Sequence, residues 1–138
     1  MTTASSIPAK RADLAVIGGG PAGMMAAIAA AERGAAVVLL EPNERLGKKL
    51  NITGKGRCNL TNNCSVEDLA ANTPRNGRFL WGAFSRFGSA ETMAFFERLG
   101  VPLKTERGNR VFPVSDRAFD VSAALERELR RLGVRWVR

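Results

Sequence analysis

Residues 12–41 carry the feature that most constrains what this chain can fold into. Leu14, Val16 and Ile17 form a short apolar run, and Gly18, Gly20 and Gly23 follow at once in G-x-G-x-x-G spacing. Ala22 to Arg33 reads as a helix, with Gly34 just past its end as a stop signal. Val37 to Leu40 form a second apolar run that closes on Glu41. Strand, glycine turn, helix, strand and acid follow in the order a dinucleotide-binding βαβ unit demands.

Each part has a physical task. Gly18 permits the tight turn out of the strand, Gly20 lets a pyrophosphate approach the backbone without meeting a Cβ, and Gly23 lets the helix pack close to the sheet. Pro21 and Ala22 open that helix, whose first N–H groups face the phosphates with the positive end of the helix dipole behind them. Glu41 lies 18 residues beyond Gly23, close to the roughly 20 expected of a carboxylate that bonds a ribose 2′-OH. A carboxylate there repels a 2′-phosphate, which points to the adenosine of FAD or NAD rather than NADP. A lone glycine motif is weak and can be a loop that binds nothing; here the strand, helix and acid all fall in register with it.

The chain has 138 residues, enough for one domain with a proper core, and is 45% apolar and 25% charged. It has no His and no Tyr, so the commonest general acid–base side chain is missing and any redox chemistry falls to a cofactor. The formal charge of +8 has three readings: solvated surface, an offset to an anionic cofactor, or nucleic-acid binding. The basic residues are spread along the chain and are not interleaved with stacking aromatics, which argues against nucleic acid. Residues 1–11 read as a disordered polar tail without the apolar core of a signal peptide. No apolar stretch approaches the roughly 18 residues that span a bilayer. The expectation is a cytoplasmic protein without a membrane partner.

From Pro42 to about Pro74 apolar residues thin out and Gly, Lys, Asn and Thr take over. This reads as one long loop, either functional or a solvated basic segment. It follows the ribose-binding acid directly, so it can fold over the same ligand. Six residues separate Gly47 from Gly54 and Gly56 follows Lys55, so it is not a Walker loop. Five residues separate Cys58 from Cys64, a spacing that fits neither a zinc nor a thioredoxin-like pair, and no metal site is expected. Their place after the first βαβ unit is similar to that of the redox dithiol in flavin disulfide reductases, but the interval differs. Both are read as free thiols.

Phe79, Leu80, Ala83, Phe84 and Phe87 recur at helical spacing up to Gly88, an aromatic stripe that reads as core. Ser89 reads as the N-cap of another helix, with Glu91 in its first turn and Phe95, Phe96 and Leu99 on one face. Val101 to Val114 reads as a small hairpin or a pair of extended segments about Arg107-Gly108-Asn109. Val121, Leu125, Leu129 and Leu132 make the stripe of a further helix stopped by Gly133, and residues 134–138 begin a third strand. The predicted fold is thus α/β and Rossmann-like, a parallel sheet with helices plus a small helical and hairpin insertion. Three strands are the first half of a doubly wound sheet, with one face and an edge left bare. Residues 12–138 are accordingly read as the front of a longer dinucleotide-binding domain.

With these residues assembled, the chain resembles a bacterial family of NAD(P)/FAD-dependent oxidoreductases, the BaiN-like or aminoacetone-oxidase-like flavoproteins. The likeness rests on Gly18-Gly19-Gly20-Pro21-Ala22-Gly23, on the run from Gly47 to Asn62, and on the run from Glu106 to Asp116. It implies FAD held non-covalently on a glutathione-reductase-like fold, with the pyrophosphate on the glycine turn and Glu41 on the adenosine ribose. It also implies that Gly47, Lys48, Lys49, Gly54, Gly56, Arg57, Cys58 and Asn59 run along the cofactor towards the flavin. NAD(P)H is then a possible electron donor, and a small molecule of unspecified class the substrate. A second domain and a C-terminal segment that completes the flavin site belong to family members of full length, so this chain alone is expected to be inactive. The alternatives are an NAD-binding Rossmann module without flavin, or a non-catalytic fragment.

Overall fold

The structure, a computed structural model, describes residues 11–138, so the expected tail lies outside the described residues apart from Arg11. Strand β1 (Leu14–Ile17), helix α1 (Pro21–Ala31) and strand β2 (Val37–Leu40) form the first unit. Gly34, at φ +86°, turns the chain between α1 and β2. A 3-10 segment, Leu50–Gly56, comes next. It is followed by β3 (Thr61–Asn62), α2 (Val66–Ala71), α3 (Gly77–Phe84) and α4 (Ser89–Arg98). A hairpin of β4 (Leu103–Glu106) and β5 (Arg110–Pro113) leads into α5 (Ala118–Arg131) and β6 (Arg135–Val137).

Two three-stranded sheets result. The first is parallel in the order β1-β2-β6, with Leu14 opposite Val37 and Leu39 opposite Trp136. The third strand therefore joins the far side of β2 and leaves β1 at the other edge, the 3-2-1 half of a doubly wound sheet. Helices α1 and α5 pack on one face over Val16, Val37 and Leu39, and Met24, Ile28, Val121, Leu125 and Leu129 fill the space between. Ile17, Leu40 and Val137, which alternate with those residues, are exposed. The second sheet is antiparallel in the order β3-β5-β4.

Four expectations need correction. The Pro42–Pro74 stretch is not one loop: it holds the 3-10 segment, β3 and α2. Helix α2 is opened by Ser65, whose hydroxyl accepts from the Asp68 N–H at 3.0 Å. The hairpin is not alone, because β3 pairs with β5 (Thr61 opposite Val111) and makes it a sheet. The α3 stripe is not core: Phe79 is 86% exposed, Ala83 and Phe87 are also exposed, and Leu80 and Phe84 are only half-buried, whereas Phe95 and Phe96 of α4 are buried as expected. Finally, Gly88 rather than Ser89 caps α4, with the Glu91 carboxylate accepting from the Gly88 N–H at 2.9 Å. Ser89 is turned inward instead, its hydroxyl bonded to the Asn62 carbonyl and lying 3.1 Å from the Thr61 hydroxyl. A buried hydroxyl needs such partners, and here they tie α4 to β3.

Candidate functional site

The site begins at the glycine turn. Gly18 sits at φ +99°, a conformation L side chains rarely adopt, and its N–H donates to the Leu40 carbonyl at 2.8 Å. A Cβ on Gly23 would collide with the Gly18 carbonyl oxygen, so α1 lies against the turn only because position 23 is bare. Gly20 differs: a Cβ there would meet nothing within 4 Å. The space before it is open. The ladder of α1 starts with the Met24 N–H bonded to the Gly20 carbonyl at 2.9 Å, and no side chain caps the helix. Earlier N–H groups of a helix have no partner inside it and are available to an anion.

Glu41 closes on this turn. Its Oε2 accepts from the Gly19 N–H at 2.8 Å, and its Oε1 accepts from the Asn43 backbone N–H at 2.9 Å and side-chain Nδ2 at 2.6 Å. These donors, the Asn43 N–H foremost, hold the carboxyl below its ordinary range, and the field of Lys48 adds to them. The third strand holds the backbone of the same residue: the Glu41 N–H donates to the Val137 carbonyl at 3.0 Å, and the Trp136 indole N–H donates to the Glu41 carbonyl at 3.1 Å. On the other side the Gly47 N–H donates to the Gly19 carbonyl at 2.8 Å. Gly47 is buried at φ +64°, where a Cβ would lie 3.1 Å from both Met24 and Ser122.

A cleft of about 410 Å³ opens here, lined by Gly19, Gly20, Glu41, Asn43, Arg45, Gly47, Lys48, Lys49 and Ile52. Its volume falls within the roughly 300–1,000 Å³ of small-molecule sites. A second, more apolar cleft of about 470 Å³ lies beside the start of α1. Pro21, Ala22, Met25, Lys49, Thr53, Cys58, Asn59, Leu60, Phe87 and Phe96 are among its walls. Lys49 lines both clefts, so the two adjoin.

The sequence-predicted residues thus separate by position. Gly20, Glu41, Gly47, Lys48 and Lys49 line the first cleft; Pro21, Ala22, Lys49, Cys58 and Asn59 line the second. Gly18 and Gly23 shape the turn from behind. Gly54, Gly56 and Arg57 line neither. Gly54 (φ +55°) and Gly56 (φ +83°) bend the 3-10 segment, and Asn59 Nδ2 holds its exit through the Thr61 and Val111 carbonyls at 2.9 and 3.1 Å. Sequence reasoning missed Gly19, Asn43 and Arg45. Only Gly19 left a signal, as the middle of three consecutive glycines: a Cβ on it would collide with Leu46 and lie 2.9 Å from Glu41 Cγ.

Arg57 binds protein instead. Its Nε donates to Asp116 Oδ1 at 2.8 Å, its Nη2 reaches Glu106 Oε1 at 2.5 Å and Asp116 Oδ1 at 2.6 Å, and its guanidinium lies 4.1 Å from the Phe112 ring centroid. Lys104 joins through Asp116 at 2.7 Å and Glu106 at 3.4 Å. This knot ties the 3-10 segment to the β4–β5 sheet. Bonding to Arg57 and Lys104 lowers both carboxyls, Glu106 chiefly through Arg57 and Asp116 chiefly through Lys104. A carboxylate lowered on folding stabilises above the ordinary carboxyl range and loses that contribution as pH falls through it, about pH 4 downward. Arg57→Met is therefore expected to lower the melting temperature at neutral pH and to flatten its fall in acid. Melts between pH 7 and about pH 3 check this, and parallel curves for the two proteins would contradict it.

Cys58 and Cys64 are both free thiols. Burial pushes the Cys58 thiol up, away from the thiolate a redox pair requires. Among the described residues no cluster of His, Cys, Asp and Glu could hold a metal ion, and no helix is long and apolar enough to cross a membrane.

A 3-2-1 parallel half-sheet, a glycine turn at a free helix start and an acid at the end of the second strand define a Rossmann-type FAD-binding fold. The family model described as the HI0933-like protein Rossmann domain matches residues 12–138, and the chain belongs to that family. A curated relative, the 3-dehydro-bile acid delta(4,6)-reductase of Clostridium scindens, is 43% identical over 124 residues, covering 88% of this chain and 30% of the relative. The ribosomal RNA dihydrouridine synthase of Escherichia coli is 33% identical over 92 residues, 67% of this chain and 22% of that protein. The chain thus spans less than a third of the length of either. Among solved structures, the 3-ketosteroid-delta4-(5alpha)-dehydrogenase of Rhodococcus jostii RHA1, in complex with 4-androstene-3,17-dione, superposes with a TM-score of 0.68 at 19% identity. That match covers 96% of this chain and 39% of the dehydrogenase. THI4 of Thermovibrio ammonificans gives 0.60 at 14% identity over 92% of this chain and 37% of its own. At these identities the two likenesses show the fold.

Proposed function

We propose that residues 12–138 are the N-terminal part of the FAD-binding domain of a flavin-dependent oxidoreductase, and that they bind the cofactor non-covalently. The observation that carries this reading is the first cleft. A backbone cradle open at Gly20, the start of α1 and an ionised carboxylate fixed at the end of β2 converge on one space. These are the groups a pyrophosphate and an adenosine ribose need. The fit is in the donors: N–H groups for the phosphates, a carboxylate acceptor for a ribose hydroxyl, and Arg45, Lys48 and Lys49 as counter-charge.

In this reading Gly20, Pro21 and Ala22 seat the pyrophosphate, Glu41 accepts from the ribose, and Lys49 bridges to the apolar cleft. Cys58 and Asn59 on the wall of that cleft bound the flavin end, while Gly54, Gly56 and Arg57 shape the segment that carries them. Flavin, when bound, supplies hydride transfer; the residues described here bind and orient it and exclude water. NAD(P)H as electron donor, a small organic molecule as substrate, further chain that completes the site and a cytoplasmic location belong to the same reading. The C. scindens relative is named a bile-acid reductase, which favours an organic substrate over a dithiol one.

Flavin absorbance bands in the purified protein, or their appearance on titration with FAD, are the expected result. A protein that binds NAD and no flavin would overturn the reading. Glu41→Ala is expected to weaken FAD or ADP binding by about tenfold or more, the scale of a lost charge-assisted hydrogen bond. Unchanged affinity in a calorimetric titration would remove Glu41 from the site.

A further inference from the structure

The carboxylate that recognises a ribose must be ionised and also pointed. Glu41 makes no ion pair among those the described residues show, and Lys48 reaches it only through its field. What points it is amide donors. Asn43 supplies two of the three, both to Oε1, and it lines the same cleft as the carboxylate it holds. A carboxylate offers about four lone-pair sites. Two on Oε1 are taken by Asn43 and one on Oε2 by Gly19, which leaves Oε2 the oxygen with room for an incoming hydroxyl.

We propose that Asn43 is a positioning residue for sugar recognition: it anchors Oε1 so that Oε2 of Glu41 is presented to a ribose hydroxyl. The inference rests on the dinucleotide reading of the first cleft and names the residue that gives that cleft its preference for a sugar bearing hydroxyls. The local sequence allows it. Pro42 fixes the backbone between Glu41 and Asn43, and the Asn43 N–H and side-chain amide both turn back onto the residue two before it. Without the amide, the Glu41 side chain regains rotamer freedom that binding must then remove. Arg45 and Lys48 do not replace it. Cations on the rim attract the phosphates of any nucleotide and cannot distinguish one sugar from another.

The test is calorimetric titration of ADP and of 2′,3′-dideoxy-ADP into the protein and its Asn43→Ala and Asn43→Asp variants. The unmodified protein is expected to prefer ADP by about tenfold. Asn43→Ala should weaken ADP by about five- to tenfold and leave the dideoxy compound within about twofold, so that the preference collapses. Asn43→Asp keeps the backbone donor but sets a second carboxylate against Glu41, and should weaken ADP further. Asn43 is exposed, so neither change threatens the fold. Equal weakening of both nucleotides would make Asn43 a merely structural residue and overturn the proposal, as would an unchanged preference. An unmodified protein that binds neither nucleotide would instead defeat the dinucleotide reading, and this inference with it.

Discussion

Gly23→Ala is expected to destabilise this protein by more than about 3 kcal/mol, the largest loss from any single methyl group at the turn. The added Cβ lands on the Gly18 carbonyl oxygen and 3.4 Å from Val16 Cγ1. Neither neighbour can step aside cheaply. The Gly18 N–H is bound to the Leu40 carbonyl, which fixes the turn to β2, and Val16 is a core residue of β1. Relief would require α1 to lift from the sheet and uncover Met24, Ala27 and Ile28, all essentially inaccessible to water. Protein interiors resist such shifts because they are already close-packed. Urea denaturation checks the figure, and a midpoint unchanged from that of the unmodified protein would show that the helix is not seated on the turn as described.

How much of this was legible in the sequence depends on whether the determining forces were local. The unit β1–α1–β2 and helix α5 were readable because each carries its own apolar period and a glycine stop, and β6 because it follows the Gly133 stop directly. Strand β3 was not: two residues have no period, and Thr61 and Asn62 are strand only because Val111 and Arg110, far along the chain, pair with them. Helix α2 buries none of its residues, so no apolar stripe announced it, and the Ser65 cap was its only mark. The α3 stripe failed in the opposite sense. Its period is real, but the described structure puts nothing over Phe79; periodicity shows that a helix has an apolar face and cannot say what meets it.

The site was legible in the same uneven way. The glycines and Glu41 were found because their spacing is set by a ligand-sized space at the end of two adjacent strands. Asn43 and Arg57 were not assigned their places. Asn43 depends on which way an amide folds back, and Arg57, a cation in a basic loop, looks like an anion ligand until Glu106 and Asp116 arrive from the hairpin. The consequence is a division among the basic residues of the loop. Lys48 and Lys49 face the clefts, whereas Arg57 is neutralised by Glu106 and Asp116, which Lys104 of β4 also binds, and holds the loop in shape.

Gly20→Val is expected to abolish dinucleotide binding, by on the order of a hundredfold or more, while the fold persists. The contrast with Gly23 lies in what each added carbon meets. At position 20 the Cβ meets no protein atom within 4 Å, so the protein itself does not require glycine there. The backbone does not require it either: Gly20 lies at φ −73° and ψ 176°, extended geometry that any residue adopts, valine included. The change costs the helix a tolerable cap residue and little else, within about 1 kcal/mol. What it fills is the space before the first N–H groups of α1, where a pyrophosphate would sit. Stability and binding are thereby separated. A glycine kept for packing would show a lowered melt and retained affinity; a glycine kept for a ligand shows the reverse. Melting curves and ADP or FAD titrations on the same two preparations decide between them. A Gly20→Val protein that still retained flavin would place the cofactor elsewhere and would leave the open space before α1 without a function.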